Sequence, residues 1–118
     1  MAQHNDLGVK GEDLAADWLK NKGYRIIQRN WCCGQLEIDI LATKENVLHI
    51  VEVKARNFSA IGYPEDGVGK QKFKSLQRAA HVYLQMNPNY EWIQYDILAI
   101  TLFKDKEPEF FLIEDVFL

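Results

Sequence analysis

Two aliphatic stretches, Leu36-Glu37-Ile38-Asp39-Ile40-Leu41 and Leu48-His49-Ile50-Val51-Glu52-Val53-Lys54, limit what this chain can fold into. Each is rich in the residues that favour strands, and Thr43 to Asn46 between them has the polar character of a short turn. Alternation puts Glu37 and Asp39 on one face of the first strand, and Glu52 and Lys54 on one face of the second. A turn with an even number of residues, Glu45-Asn46 or all of Thr43 to Asn46, pairs odd positions with even ones. That parity brings all four charged side chains to one side of the sheet. Opposed side chains then stand ~5 Å apart at Cβ. Like charges ~4 Å apart at an effective dielectric of ~20 repel by about 4 kcal/mol. One lysine cannot neutralise three carboxylates, so a divalent cation is the expected counter-charge.

The rest of the chain frames this hairpin. Leu14, Ala15, Trp18 and Leu19 recur at helical spacing, predicting a helix over Leu7 to Lys22, capped by Asn5 or Asp6 and stopped by Gly23. Glu12 lies near the edge of that apolar stripe, where it is either a solvated first-turn acid or a contributor to the charged face. Tyr24 to Trp31 reads as a first strand, and Cys32 to Gln35 as the turn into the central hairpin. Periodicity stops from Asn57 to Gly69, a loop holding Pro64 and three glycines. Gly67-Val68-Gly69-Lys70 superficially suggests a phosphate loop. The required G-x-x-x-x-G-K-[ST] spacing is absent, because Pro64 stands where the first glycine belongs and Gln71 follows the lysine.

Phe73, Leu76, Ala80, Tyr83 and Leu84 predict a second helix over Lys70 to Met86, ended by Asn87-Pro88-Asn89. Its first half carries Lys70, Lys72, Lys74 and Arg78, either a solvated basic face or a surface for a negatively charged partner. Glu91 to Leu102 and Glu109 to Ile113 read as two closing strands, joined by the polar turn Lys104 to Pro108. The expected order is α-β-β-β-α-β-β, an α/β domain over residues 1–118 with a central mixed sheet flanked by helices.

Composition narrows the function classes. A chain of 118 residues with 47% hydrophobic content is long enough for one domain with a buried core. No apolar run reaches membrane-span length, and the N-terminus lacks the basic and apolar segments of a signal peptide, so a cytoplasmic location and no membrane partner are expected. A net charge of −3 argues against a protein that coats nucleic acid nonspecifically. It argues less against a nuclease, whose site is acidic and whose basic patch is local. The only cysteines, Cys32-Cys33, lack structural-zinc spacing and are expected to be reduced thiols.

Carboxylate–x–lysine on a strand, with an acid on the strand before it, suits metal-assisted phosphodiester hydrolysis. Asp39 and Glu52 offer the hard oxygen ligands that Mg²⁺ favours, Mn²⁺ being a substitute, and Lys54 stands where it can offset developing charge. An E-x-K pair is more often a surface ion pair. Here the aliphatic neighbours Val51 and Val53 make the strand look central.

The pattern becomes more specific over the whole chain. Gly8-x-x-Gly11-Glu12 with Ala15 and Leu19 is followed by Gly23-Tyr24, Arg29-Asn30-Trp31, Glu37-Ile38-Asp39, Val51-Glu52-Val53-Lys54-x-Arg56, Lys72, Ala79-Ala80, Tyr83-Leu84 and Tyr95-Asp96. In these stretches the chain resembles the YraN-like family (uncharacterised protein family 0102), assigned to the PD-(D/E)XK nuclease superfamily and similar to archaeal Holliday-junction resolvases. The resemblance implies a restriction-endonuclease-like fold, with Asp39 and Glu52 as metal ligands, Lys54 as the catalytic lysine, and Glu12 completing the site from the first helix. It also implies phosphate contact by Lys72, to which the basic residues Arg56 and Lys70 are added as substrate-binding candidates. Glu37 matches without an assigned role.

Three positions depart from the family or superfamily pattern. Leu36 replaces a glycine, Gln94 an arginine, and Ile38 stands where the superfamily's proline would be, which this family commonly lacks as well. The implied activity is Mg²⁺-dependent endonucleolytic cleavage of DNA, branched or damaged, in recombination and repair. The alternative is a catalytically silent nucleic-acid-binding or partner-binding module with the same fold; an RNA nuclease would use the same metal site. Cutting two strands from one site per chain would call for a homodimer, with the aromatic C-terminal hairpin as its candidate surface.

Overall fold

The computed structural model describes residues 6–58 and 70–116. Most of the expected loop, together with the Gly67-Val68-Gly69 segment, lies outside these residues. Helix α1 spans Asp6–Asn21, followed by strands β1 (Arg25–Cys33), β2 (Leu36–Lys44) and β3 (Val47–Asn57). Helix α2 (Lys70–Met86), β4 (Ile93–Leu102) and β5 (Glu109–Ile113) complete the order α-β-β-β-α-β-β. The strands form one sheet in the order β1-β2-β3-β4-β5. β3 and β4 are parallel, and every other neighbouring pair is antiparallel. This is the mixed, helix-flanked sheet expected of a restriction-endonuclease-like fold.

Local chemistry explains the joints. Gly23 has φ +94°, the backbone N–H of Tyr24 donates to the Leu19 carbonyl, and that of Gly23 donates to Lys20. These are the two bonds of a Schellman cap, with Tyr24 and Leu19 buried in the same core. β1 runs two residues beyond the expected Trp31, so Cys32 and Cys33 lie in the strand and the turn shrinks to Gly34-Gln35. Glu45 and Asn46, at φ +52° and +67°, form the whole turn between β2 and β3. Two consecutive positive φ values define the type I′ geometry whose twist matches a hairpin. β4 begins at Ile93 rather than Glu91, although Leu48 still donates a backbone bond to the Trp92 carbonyl.

The sheet separates two cores. On one face, Ala15, Ala16 and Leu19 of α1 pack with Ile40, Ala42, Val51, Leu98 and Ile100. On the other, Leu76, Ala79, Ala80 and Tyr83 of α2 pack with Ile38, Leu41, Leu48 and Ile50. Ile38 and Ile40 are thus both fully buried, yet in opposite cores.

Regular alternation therefore fails at Asp39. β1 supplies the reason: Arg29 pairs with Ile40 and Trp31 with Ile38, while Asn30 between them takes φ +53°. The left-handed residue turns the ribbon over at this point. The expectation that Glu37 and Asp39 share a face by simple alternation does not hold across this twist.

α1 is held unusually close to the sheet. A Cβ at Gly11 would lie 2.4 Å from the Ala55 Cβ of β3, so only glycine permits this approach. Gly11→Ala should destabilise the protein by about 1–3 kcal/mol, although alanine gains about 1 kcal/mol in helix propensity. Adding Ala55→Gly should recover part of the loss. Chemical denaturation of the four-member mutant cycle checks this, and additive effects would remove the contact as the cause.

Candidate functional site

The backbone pairing of β2 with β3 runs from Lys44↔Val47 to Ile40↔Val51. At the next position a side chain takes over: Asp39 Oδ2 accepts the Val53 N–H at 2.8 Å. Beyond it, β2 continues beside β1, reaching Leu36 opposite Cys33, and β3 continues beside β4 as far as Asn57. The two strands part like a fork, with Asp39 on one tine and Glu52, its register partner, on the other.

Glu52 is buried, 5% exposed, among the groups that decide its charge. Burial is the main force raising its pKa, and the neighbouring Asp39 carboxylate adds to it. Lys72 and Lys54 pull the other way, and the result is a carboxyl pushed up to about 7. Lys72 reaches across from α2 to place Nζ 3.2 Å from Glu52 Oε1. Its own pKa is lowered by burial but raised overall, because Glu52, Asp39 and Glu37 outweigh that effect. The structure thus brings Asp39, Lys54 and Lys72 within electrostatic reach of Glu52, and Glu37 within reach of Lys72.

The other expected residues lie around this group. Glu12 is buried on α1, next to the Gly11 that abuts Ala55, and so approaches from the opposite helix layer. Among the described residues no group of three His, Cys, Asp or Glu side chains is gathered closely enough to hold a metal by itself. Arg56 is half-buried near the end of β3, opposite Thr101. Lys70 opens α2, and its side chain lies outside the described residues.

A second polar network was not anticipated as such. His49 Nδ1 lies 2.6 Å from Asp96 Oδ2, and both side chains are buried. Asp96 Oδ1 accepts from Gln94 Nε2 at 2.9 Å and from the Asp115 backbone N–H at 3.1 Å. The Tyr24 ring meets His49 edge-on, 5.0 Å between centroids. The sequence signal was present: each strand carries one polar residue where a continuous apolar run would suffice, and parallel pairing sets Val51 beside Asp96. Gln94, where the family pattern has arginine, holds the same aspartate. This network ties β3, β4 and the chain beyond β5 together, behind the fork.

Carboxylates at the parting of two central strands, faced by lysines from β3 and α2, define an α/β protein of restriction-endonuclease-like architecture with an acidic–basic site. A family model described as "Uncharacterised protein family UPF0102" matches residues 11–100, and the chain belongs to that family. It is 46% identical to the UPF0102 protein of Flavobacterium psychrophilum over 100 residues, covering 85% of this chain and 84% of the relative. Similar proteins occur in Phocaeicola vulgatus, 40% identical over 98% of this chain and 93% of the relative, and in Chloroherpeton thalassium, 39% identical over 93% and 92%. The nuclease-superfamily assignment is consistent with this membership.

Two outcomes are expected. The folded protein keeps a proton on Glu52 up to about 7, whereas an unfolded glutamate releases it near 4.5. Between those values the native state binds more protons, so metal-free stability falls as pH rises, by about 3 kcal/mol through this group. Glu52→Gln should remove that slope and be the more stable protein at pH 8, as thermal melts from pH 4 to 8 would reveal. Asp96→Ala strips the acceptor from His49, Gln94 and Asp115 together. It should cost about 3 kcal/mol or more in urea unfolding, and a loss below ~1 kcal/mol would show the network to be dispensable.

Proposed function

We propose that this protein is a Mg²⁺-dependent endonuclease that hydrolyses phosphodiester bonds of DNA, with branched or damaged DNA as its substrate in recombination and repair. The observation that carries the reading is Glu52, buried against Asp39 and therefore protonated to about 7 in the metal-free protein. Two carboxylates of a hard donor set, short of positive charge, fit an ion that binds through one or two carboxylates and keeps several waters. Asp39 and Glu52 would hold Mg²⁺, or Mn²⁺ in its place, with Glu12 acting from α1 through water. When bound, such an ion activates water and offsets charge on phosphoryl oxygens.

The chain's own residues supply the rest. Lys54, two residues after Glu52 on β3, stabilises the negative charge that grows on the phosphate or orients the attacking water. Lys72 exchanges its contact with Glu52 for a substrate phosphate, and Arg56 and Lys70 extend that grip. Asp39 is steadied by the Val53 N–H, so its carboxylate needs little reorganisation. Cutting both strands of a duplex calls for two copies, and the exposed Phe111 and Ile113 of β5 give the aromatic C-terminal hairpin a surface for pairing.

A second reading is favoured by one contact. Lys72 already contacts Glu52 at 3.2 Å, as it would in a silent module that binds nucleic acid or a partner without cutting. Calorimetry with Mg²⁺ or Mn²⁺ on wild type and Asp39→Asn should show binding only to the former. Nicking assays on duplex, single-stranded and four-way-junction DNA, with an RNA control, should give cleavage that Asp39→Ala and Lys54→Ala lower by 100-fold or more (about 3 kcal/mol). Cleavage that survives Asp39→Ala on every substrate would sink the endonuclease reading. Nucleic-acid binding without metal uptake or cleavage would favour the silent module, and a sedimentation profile that stays monomeric on DNA would remove the dimer.

A further inference from the structure

Beyond Lys72, α2 carries a feature that the cleavage chemistry does not use. The helix holds Lys70, Lys72, Lys74 and Arg78 and no acidic residue, in a chain whose net charge is −3. Lys74 and Arg78 are four residues apart, and Arg78 and His81 three, so their side chains share one helix face. The like charges of Lys74 and Arg78 at this spacing destabilise a helix by ~0.2–0.5 kcal/mol, and cations early in a helix also oppose its dipole. Such a row is relieved by an anion laid along it.

The row borders a concavity. Lys74, Gln77, Arg78 and His81 line an open cleft of about 460 Å³ whose floor includes Leu36 and Val82. Leu36 opens β2 three residues before Asp39, and Lys74 follows Lys72 by two. The cleft and the fork thus both draw on β2 and α2, with Lys72 and Lys74 on different faces of the helix. Along α2, the step from Lys74 to Arg78 is about 6 Å, close to the separation of successive phosphates on one nucleic-acid strand.

We propose that this cleft is a subsite for a single, unpaired nucleic-acid strand. Lys74 and Arg78 hold adjacent phosphates, an unstacked base lies on Leu36 and Val82, and Gln77 faces the base edge with an amide that can donate and accept. The apolar floor decides between strand types. A duplex hides its base faces and offers phosphates alone, for which Leu36 and Val82 have no use, whereas an unpaired base has an apolar face to bury. The inference rests on the nucleic-acid reading of the fork, and it assigns to that site a substrate with a single-stranded segment running from the cleft toward Asp39 and Glu52.

Fluorescence anisotropy with a short labelled oligodeoxynucleotide, in EDTA so that neither metal nor cleavage intervenes, tests it. Lys74→Ala/Arg78→Ala should weaken binding of the single strand by 10-fold or more and flatten log K against log salt by about 1.4 for two lost contacts. Lys74→Arg/Arg78→Lys should restore both quantities, which separates lost charge from a damaged helix. Val82→Asn should weaken the single strand several-fold and leave a blunt duplex of the same length unaffected.

Unchanged affinity and salt slope in the double alanine variant overturn the subsite. So does equal loss of duplex and single-strand binding in Val82→Asn, or a poly-glutamate peptide that binds with the same dependence on Val82. Asp39→Asn should bind the strand at least as tightly as wild type. The subsite is thereby tested apart from cleavage: a protein that never cuts can pass, and one that cuts with these variants unchanged fails it.

Discussion

The Asp39 carboxylate stands in for a rung of the β2–β3 ladder, and the site depends on that substitution. Where Ile40 and Val51 end the backbone pairing, the Val53 N–H would lose its partner as the strands part. Asp39 Oδ2 accepts it at 2.8 Å instead. A buried backbone donor left unsatisfied costs about 1–3 kcal/mol, so the carboxylate makes the fork tolerable. It also fixes a negative charge beside Glu52. The same oxygen-rich opening could not exist in the middle of a continuous ladder, because backbone groups there are consumed by neighbouring strands.

Electrostatics in the fork oppose stability. Burial and Asp39 together hold Glu52 near neutrality, and Lys72 and Lys54 only partly compensate. Lys72 is half-exposed, and such a pair recovers little of what burying Glu52 costs, so a stability role is a poor account of Glu52. The stabilising contributions lie elsewhere: two apolar cores, one on each face of the sheet, and the His49–Asp96 network that binds β3 to β4. A rigid frame around a charged, self-repelling opening is what a site that awaits a counter-charge requires.

How much of this was legible in the sequence follows from the range of the interactions. Gly23 as a helix stop and the odd-to-even parity of the Glu45-Asn46 turn are local, and both hold in the structure. The turnover at Asp39 was not legible, because its cause, the left-handed Asn30, sits on the partner strand. Nothing in Glu37-Ile38-Asp39 itself announces that Ile38 and Ile40 part to opposite cores. The depth of α1, which carries Glu12, is set by Gly11 against Ala55, a contact between residues 44 apart in sequence that no local pattern shows. His49 and Asp96 were visible only as polar intrusions in apolar strands, and their pairing needed the parallel register of β3 on β4.

The fork is made from strand residues whose positions are fixed by two cores, so folding sets where its charges stand. α2 is different. Its inner face, Phe73, Leu76, Ala80 and Tyr83, is bound by packing, while Lys74 and Arg78 on its outer face have no ion-pair partner among the described residues and lower helix stability. Residues that cost local stability and line a cleft are the ones whose chemistry answers to a ligand rather than to folding. On the reading proposed above, the fork would determine what bond can be broken, and α2 which strand is brought to it.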